Sequence, residues 1–332
     1  MEYGKKIIRS CVDMHPARQV YLYTSSCKWA PPLILNNPRP ISVPKPQSQY
    51  YNISITSPAA RTYSNHTHLY HSTRNLRKLA LQRQTRKMSS TSTPPTPQPD
   101  PRYAQLFHDL STRFAQTSLP PEKWYILAIS TIVASPDPER CDQLYLHLIN
   151  QAPYSTPSAR QALIRRLREA LFKSIIIVGV CKPIEAILAI SKYEREEDKD
   201  YTFTRENWQC DQANHDRGVA WLEKLYARNT TGTLDLFRAH QDFGWLSKEI
   251  TYGLFLSDRG VLDDLDTQMV VLPAIMSQNL KNETHWHIRG TRRLGVSMED
   301  VKVVWECIQR VAGFYGVVLD KVPTVEEVES DV

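Results

Sequence analysis

Ser158-Ala159-Arg160-Gln161-Ala162-Leu163-Ile164-Arg165-Arg166-Leu167-Arg168-Glu169-Ala170-Leu171-Phe172-Lys173-Ser174-Ile175-Ile176-Ile177-Val178 is the longest apolar-periodic stretch of the chain. Leu163, Leu167, Ala170, Leu171, Ile175 and Val178 recur three and four apart, the spacing of one helix face, with Arg165, Arg166 and Arg168 outside it. Working outward, the same period governs everything from Pro101 on. Tyr103, Leu106, Phe107, Leu110 and Phe114 form a stripe that stops before Pro120-Pro121. Pro121 suits a helix first turn, and Trp124, Leu127, Ala128 and Ile132 follow it up to Ser135-Pro136. A third helix runs from about Glu139 to Ile149, and another carries Ile184, Ile187 and Leu188 after Cys181-Lys182-Pro183. Further helices are expected near 212–228, 233–240, 243–256, 266–280, 283–294 and 298–313. Gly295 serves as a stopping glycine and Ser297 as an N-cap with an acid three residues on. No alternating strand of useful length occurs, and no glycine-rich phosphate loop is spelled out. The chain reads as all-α.

Charge divides the 332 residues unequally. Residues 1–99 hold 14 of the 41 Lys+Arg and only two acids, Glu2 and Asp13, which leaves 27 bases against 33 acids in the remainder. The overall +6 therefore describes no single surface and carries no nucleic-acid footprint. Residues 1–99 lack any hydrophobic period and read as a disordered basic tail. Two origins stay open for it: an organellar transit peptide, or an over-extended gene start upstream of Met88. Location follows the choice, cytoplasmic by default and mitochondrial if the tail is a transit peptide. No apolar run approaches the ~18–20 residues of a membrane span, so no membrane partner is expected. The six cysteines form no C-x-x-C, which argues against a zinc knuckle or a local redox dithiol and leaves no metal or cofactor implied. The run Glu194-Arg195-Glu196-Glu197-Asp198-Lys199-Asp200 reads as a solvated linker.

Candidate chemistry gathers at Asn282-Glu283-Thr284-His285-Trp286-His287-Ile288-Arg289-Gly290. Glu283 and His287 are four apart and share a helix face, where a carboxylate can orient an imidazole and raise its pKa. Gly290 lies three residues further on the same face. A mid-helix glycine costs about 1 kcal/mol against alanine, so it hints at a close approach to the backbone. The bland alternative is a surface Glu–His pair beside a helix-packing glycine.

These residues also resemble a known family. His287-Ile288-Arg289-Gly290, then Gly295-Val296-Ser297-Met298-Glu299-Asp300-Val301 and Val311-Ala312-Gly313-Phe314, are similar to the helical signature of the carboxymuconolactone decarboxylase family. Arg217-Gly218 with Leu222 and Tyr226, Tyr252-Gly253, and Leu262 through Thr267 resemble its upstream motifs, so the likeness covers about 212–320. Residues 120–192 resemble a diverged second copy. His147 would stand where His287 stands only after an insertion, so no role is carried onto it. The related alkylhydroperoxidase D proteins use Cys-x-x-Cys-x-x-x-His with an upstream Glu. Here the two cysteine positions hold Leu280 and Glu283, and the Glu falls on Gln268. A local peroxidatic dithiol is absent, and Gln268 is no acid or base near neutral pH.

The resemblance implies an all-α helical bundle of two related units, 100–195 and 212–322, joined by a linker at 196–211 and ending in a disordered 323–332. It implies a homo-oligomer with a small organic acid as substrate or ligand, and cofactor-free proton transfer or decarboxylation on a lactone or keto acid. His287 would be the acid/base, Glu283 its orienter and Gln268 the altered relay position. Arg289, Gly290 and Tyr252 would bind substrate, although Arg289 points off the His287 face and would serve a neighbouring subunit or a surface. Two alternatives stand beside this reading. One is a non-catalytic scaffold or small-molecule binder. The other is a hydroperoxide-reducing protein using distant cysteines such as Cys181 and Cys210.

Overall fold

The computed structural model describes residues 97–332, so the reading of residues 1–99 as a disordered tail lies almost wholly outside the described residues. Helix α1 (Pro101–Phe114) starts where the Asp100 side chain accepts the Arg102 amide and Pro101 pre-sets the first turn. Helix α2 (Lys123–Ala134) and α3 (Cys141–Ile149) follow. The long apolar-periodic stretch becomes α4 (Pro157–Val178), capped by Thr156 and ended by Gly179 at φ +84°. Helix α5 (Cys181–Ser191) closes the first half. The second half holds α6 (Gln212–Tyr226), α7 (Thr230–Asp235) and α8 (Gln241–Trp245). A π-helical stretch over Leu246–Phe255 continues from α8. Then come α9 (Asp264–Met276), α10 (Lys281–Arg293), α11 (Met298–Phe314) and α12 (Val325–Glu329). Among the described residues there are helices and turns and no strands.

Helix α2 is the centre. The sequence marked only its Trp124, Leu127, Ala128 and Ile132 as core, yet all twelve of its residues are buried. A helix apolar all round can only be satisfied by neighbours on every side. Here α1, α4, α9 and α11 supply them. Its single charge, Lys123, finds Asp263 at 2.9 Å and Asp266 at 3.1 Å. Because α9 and α11 close over α2, the main core mixes residues 103–190 with residues 262–328, and the described residues form one compact unit. A second, smaller core joins Trp221, Leu222, Leu225 and Tyr226 of α6 to Tyr252, Leu256, Val271 and Ile275.

Two expectations are corrected. The charged run at 194–200 is not simply solvated, although most of 201–211 is exposed. Asp198 is buried on Arg160 Nε at 2.7 Å, Asp200 reaches Arg165 and Arg168, and Glu169 takes Arg205 in a two-pronged pair at 2.7 and 2.5 Å. Arg165 and Arg168, which fell outside the apolar stripe of α4, are the counter-charges of Asp200, and Arg160 of the same helix is that of Asp198. Nor is 323–332 without structure. Thr324 and Glu327 form a reciprocal capping box, and Val325 and Val328 enter the main core, so α12 is anchored.

Candidate functional site

Three elements meet around α10, and two glycines make the meeting possible. A Cβ on Gly218 would lie 2.3 Å from the Lys248 carbonyl, so α6 and the π-helical stretch touch backbone to backbone there. Asn214 stitches the same contact by donating to the Glu249 carbonyl at 2.9 Å. Gly290 plays the matching part on α10. Its missing Cβ would meet Leu225 at 3.3 Å and the Gln268 amide nitrogen at 3.5 Å. The close approach inferred from this glycine is therefore made by α6 and α9 themselves.

The glycine contact brings Gln268 of α9 onto His287. The Gln268 amide nitrogen donates to the His287 carbonyl at 3.2 Å and to Thr291 Oγ1 at 3.0 Å, and the Thr291 hydroxyl donates to the same carbonyl at 2.7 Å. With the nitrogen so placed, Gln268 Oε1 faces His287 Nδ1 at 3.3 Å. An amide oxygen only accepts, so Nδ1 carries the proton and Nε2 is the basic nitrogen. Burial, assisted by the nearby Arg289 charge, holds the imidazole down to about 4. The ring is neutral at physiological pH.

Glu283 does not join this arrangement. It is half-buried and makes no hydrogen bond or ion pair among the described residues, although its charge, after burial, helps push the Tyr226 hydroxyl up. The expected Glu283–His287 pair is thus not formed, and the expected rise in the imidazole pKa is reversed. Helical spacing put both residues on one side of α10, but the imidazole turns to α9 instead. Tyr252 is buried, and its hydroxyl donates to Tyr226 at 3.0 Å. The Tyr226 ring in turn stands edge-on to His287, 6.3 Å between centroids. Sequence reading named Tyr226 only within a motif and gave it no role. Thr291 was missed although it lies one helical turn beyond His287.

Arg289 corrects the surface reading. Only 3% exposed, it is paired with Asp331, and its Nε has no partner. Nothing near Arg289 in sequence announces an acid 42 residues later, so this contact had no local signal.

Cavities lie elsewhere, and one of about 540 Å³ runs along the start of α1 against Arg310 and Phe314 of α11. A cleft of about 440 Å³ between α1 and α11 is lined by His108, Asp109, Arg113, Glu306, Cys307 and Arg310, and its arginines are already paired. A groove of about 110 Å³ between α4 and α5 is apolar except for Arg168. No group of three or more His, Cys, Asp or Glu among the described residues is arranged to hold a metal ion. Cys141, Cys181, Cys210 and Cys307 are all free, so Cys181 and Cys210 are not joined. Burial pushes the Cys141 thiol well up and Cys307 up to about 12.

No family model matches the chain. It is similar to Peroxisomal protein 2 of Schizosaccharomyces pombe, 24% identical over 146 residues, which covers 41% of this chain and 63% of that protein. The chain thus matches less than two thirds of that relative's length. No solved structure matches it.

Proposed function

We propose that this chain is a non-catalytic, ligand-binding member of the carboxymuconolactone decarboxylase-like helical proteins, acting at the peroxisome. One observation carries the first part: the His287 imidazole is buried, neutral and held by an amide rather than a carboxylate. A general base works best when its pKa lies near the operating pH, and one at about 4 abstracts protons poorly at pH 7. A Gln268 amide neither supplies nor collects a proton. The placement at the peroxisome is supported by the likeness to Peroxisomal protein 2, and replaces the cytoplasmic and mitochondrial expectations as the working proposal. No helix among the described residues is long and apolar enough to cross a membrane, so association through a spanning helix is not part of the proposal.

The competing reading keeps proton-transfer catalysis on a small lactone or keto acid. It is favoured by the Tyr252–Tyr226 hydroxyl pair, whose Tyr226 ring stands edge-on to His287 and puts buried hydroxyls in its neighbourhood. A panel of small lactones, keto acids and hydroperoxides separates the two. Wild type is expected to turn over none of them above the level of His287→Ala. Turnover that disappears in His287→Ala, with the variant still folded, would overturn the binder reading. Gln268→Glu adds a second arm: it is expected to destabilise the fold by a few kcal/mol without creating activity. A tagged chain imaged against a peroxisomal marker tests location, and exclusion from that compartment removes that half.

A further inference from the structure

Four basic side chains converge on one acidic residue near the end of the described chain. His285 Nε2 lies 3.1 Å from the Asp331 carboxylate, and Arg289 Nη1 pairs with the same oxygen. Arg228 and Arg293 reach the Asp331 carbonyl at 3.0 and 3.2 Å. Next along the segment, Glu329 takes Arg292 through two bonds at 2.8 and 2.6 Å. His285 and Arg289 of α10 therefore meet at one carboxylate, while Arg228 and Arg293 hold the backbone carbonyl of the same residue.

The partners differ in burial. The Arg289 side chain is 4% exposed, whereas that of Asp331 is 36% exposed. A buried guanidinium needs an anion, because a charge out of water without a counter-charge is costly. The anion it has is held from outside by a short segment, and the buried Nε has no partner at all. The Arg289 charge acts on both His287 and Tyr226: after burial it lowers the imidazole further, and it offsets part of the rise that burial gives the Tyr226 hydroxyl. Arg289 thus joins the His287–Gln268–Tyr226 cluster to the position that Asp331 fills.

We propose that Arg289 is a carboxylate-binding group, and that the 325–331 segment occupies it in cis with Asp331, so that a small organic carboxylate binds by displacing the end of this strap. The inference rests on the binder reading and deepens it by naming the ligand class and a built-in competitor. A planar guanidinium fork matches a carboxylate, and His285 beside it adds one further donor. Displacement need not unfold α12. Val325 and Val328 keep the strap's root in the core, while Glu329 and Asp331 hold its tip through pairs that remain partly in water. Tip release alone opens the guanidinium, and a ligand whose site is open only part of the time binds with an affinity reduced by that fraction.

The test is calorimetric titration of succinate, with acetate and inorganic phosphate as further arms at constant ionic strength, into full-length wild type and Asp331→Asn. Asp331→Asn is expected to bind succinate about tenfold tighter or more than wild type, and Arg289→Ala combined with Asp331→Asn to lose that gain. If folded Asp331→Asn binds no tighter, or the gain survives without Arg289, the proposal fails. Phosphate binding as tightly as succinate would overturn the assignment to carboxylates. Hydrogen exchange of wild type gives a reading that needs no variant: saturating succinate is expected to speed amide exchange across 327–331, and unchanged exchange at saturation counts against displacement. Succinate binding without turnover leaves both proposals standing. Turnover dependent on His287 removes the non-catalytic reading while leaving the strap intact. Absence of competition removes the strap alone.

Discussion

Two acidic segments strap arginine-bearing helices in this chain, residues 196–200 onto α4 and residues 325–331 onto α10. In the first, both partners of the central pair are out of water: the side chain of Arg160 is 5% exposed and that of Asp198 1%. In the second, Arg289 is buried and Arg292 partly so, but the acids at Asp331 and Glu329 stay about one third exposed. The residue chemistry is nearly the same, and the surroundings set the strength. Removing Asp198 strands a charge that nothing from solution reaches, whereas the acid of the second pair stands partly in water, where another anion can take its place beside Arg289. The first strap is therefore part of the fold and the second is a removable cover.

The largest effect expected from this contrast is at Asp198. Asp198→Ala leaves Arg160 buried with two backbone carbonyls, those of Tyr154 and Ser155, and no counter-charge. A loss of about 3–5 kcal/mol is expected, read as a fall in the denaturant midpoint at unchanged slope. A loss below about 1 kcal/mol would make the two straps equivalent and break the comparison.

Acid provides the next largest effect, and it acts at His287, on the same helix as Arg289. His287 has its pKa depressed from 6.5 to about 4 by burial, so the unfolded chain binds a proton that the folded one refuses. Its contribution is whole above pH 6.5 and is lost as pH falls through about 4, at most about 1.4 kcal/mol per pH unit and about 3 kcal/mol in all. His287→Gln should flatten that part of the stability–pH curve. A slope unchanged by the substitution would mean that the imidazole titrates normally and that its packing against Gln268 and Tyr226 does not seal it.

The segments also show what was legible. Helices announce themselves locally: the 3.6 period over 158–178, the Ser297 cap and the Gly295 stop are each read from a few neighbouring residues, and each holds. The all-α class followed from such local signals. The site did not, because its decisive contacts join residues far apart. Spacing placed Glu283 on the His287 side of α10, but it could not show that α9 would bring Gln268 closer. Charge density made 194–200 look solvated, since a run of acids reads as surface until the arginines of α4 are known to lie opposite it. Thr324 and Glu327 spell a capping box that a purely hydrophobic scan of 323–332 overlooks. The Asp331–Arg289 contact, 42 residues apart, likewise had no local signal.

The smallest effect is expected at the tip of the second strap, and it is the sharpest test of the contrast. Glu329 bonds Arg292 through both oxygens, but its side chain is 34% exposed and that of Arg292 is 19% exposed. Arg292 also donates to the Val296 carbonyl, so it keeps a partner when the acid is removed. Glu329→Ala is therefore expected to cost only about 0–1 kcal/mol and to cost less as salt is raised. The same substitution at fixed stability should still quicken amide exchange over 329–331, because the pair restrains the tip more than it holds the fold. A cost of several kcal/mol, insensitive to salt, would place Glu329 in the class of Asp198. The strap would then be a fixed wall over Arg289, and a carboxylate could reach that guanidinium only by unfolding α12.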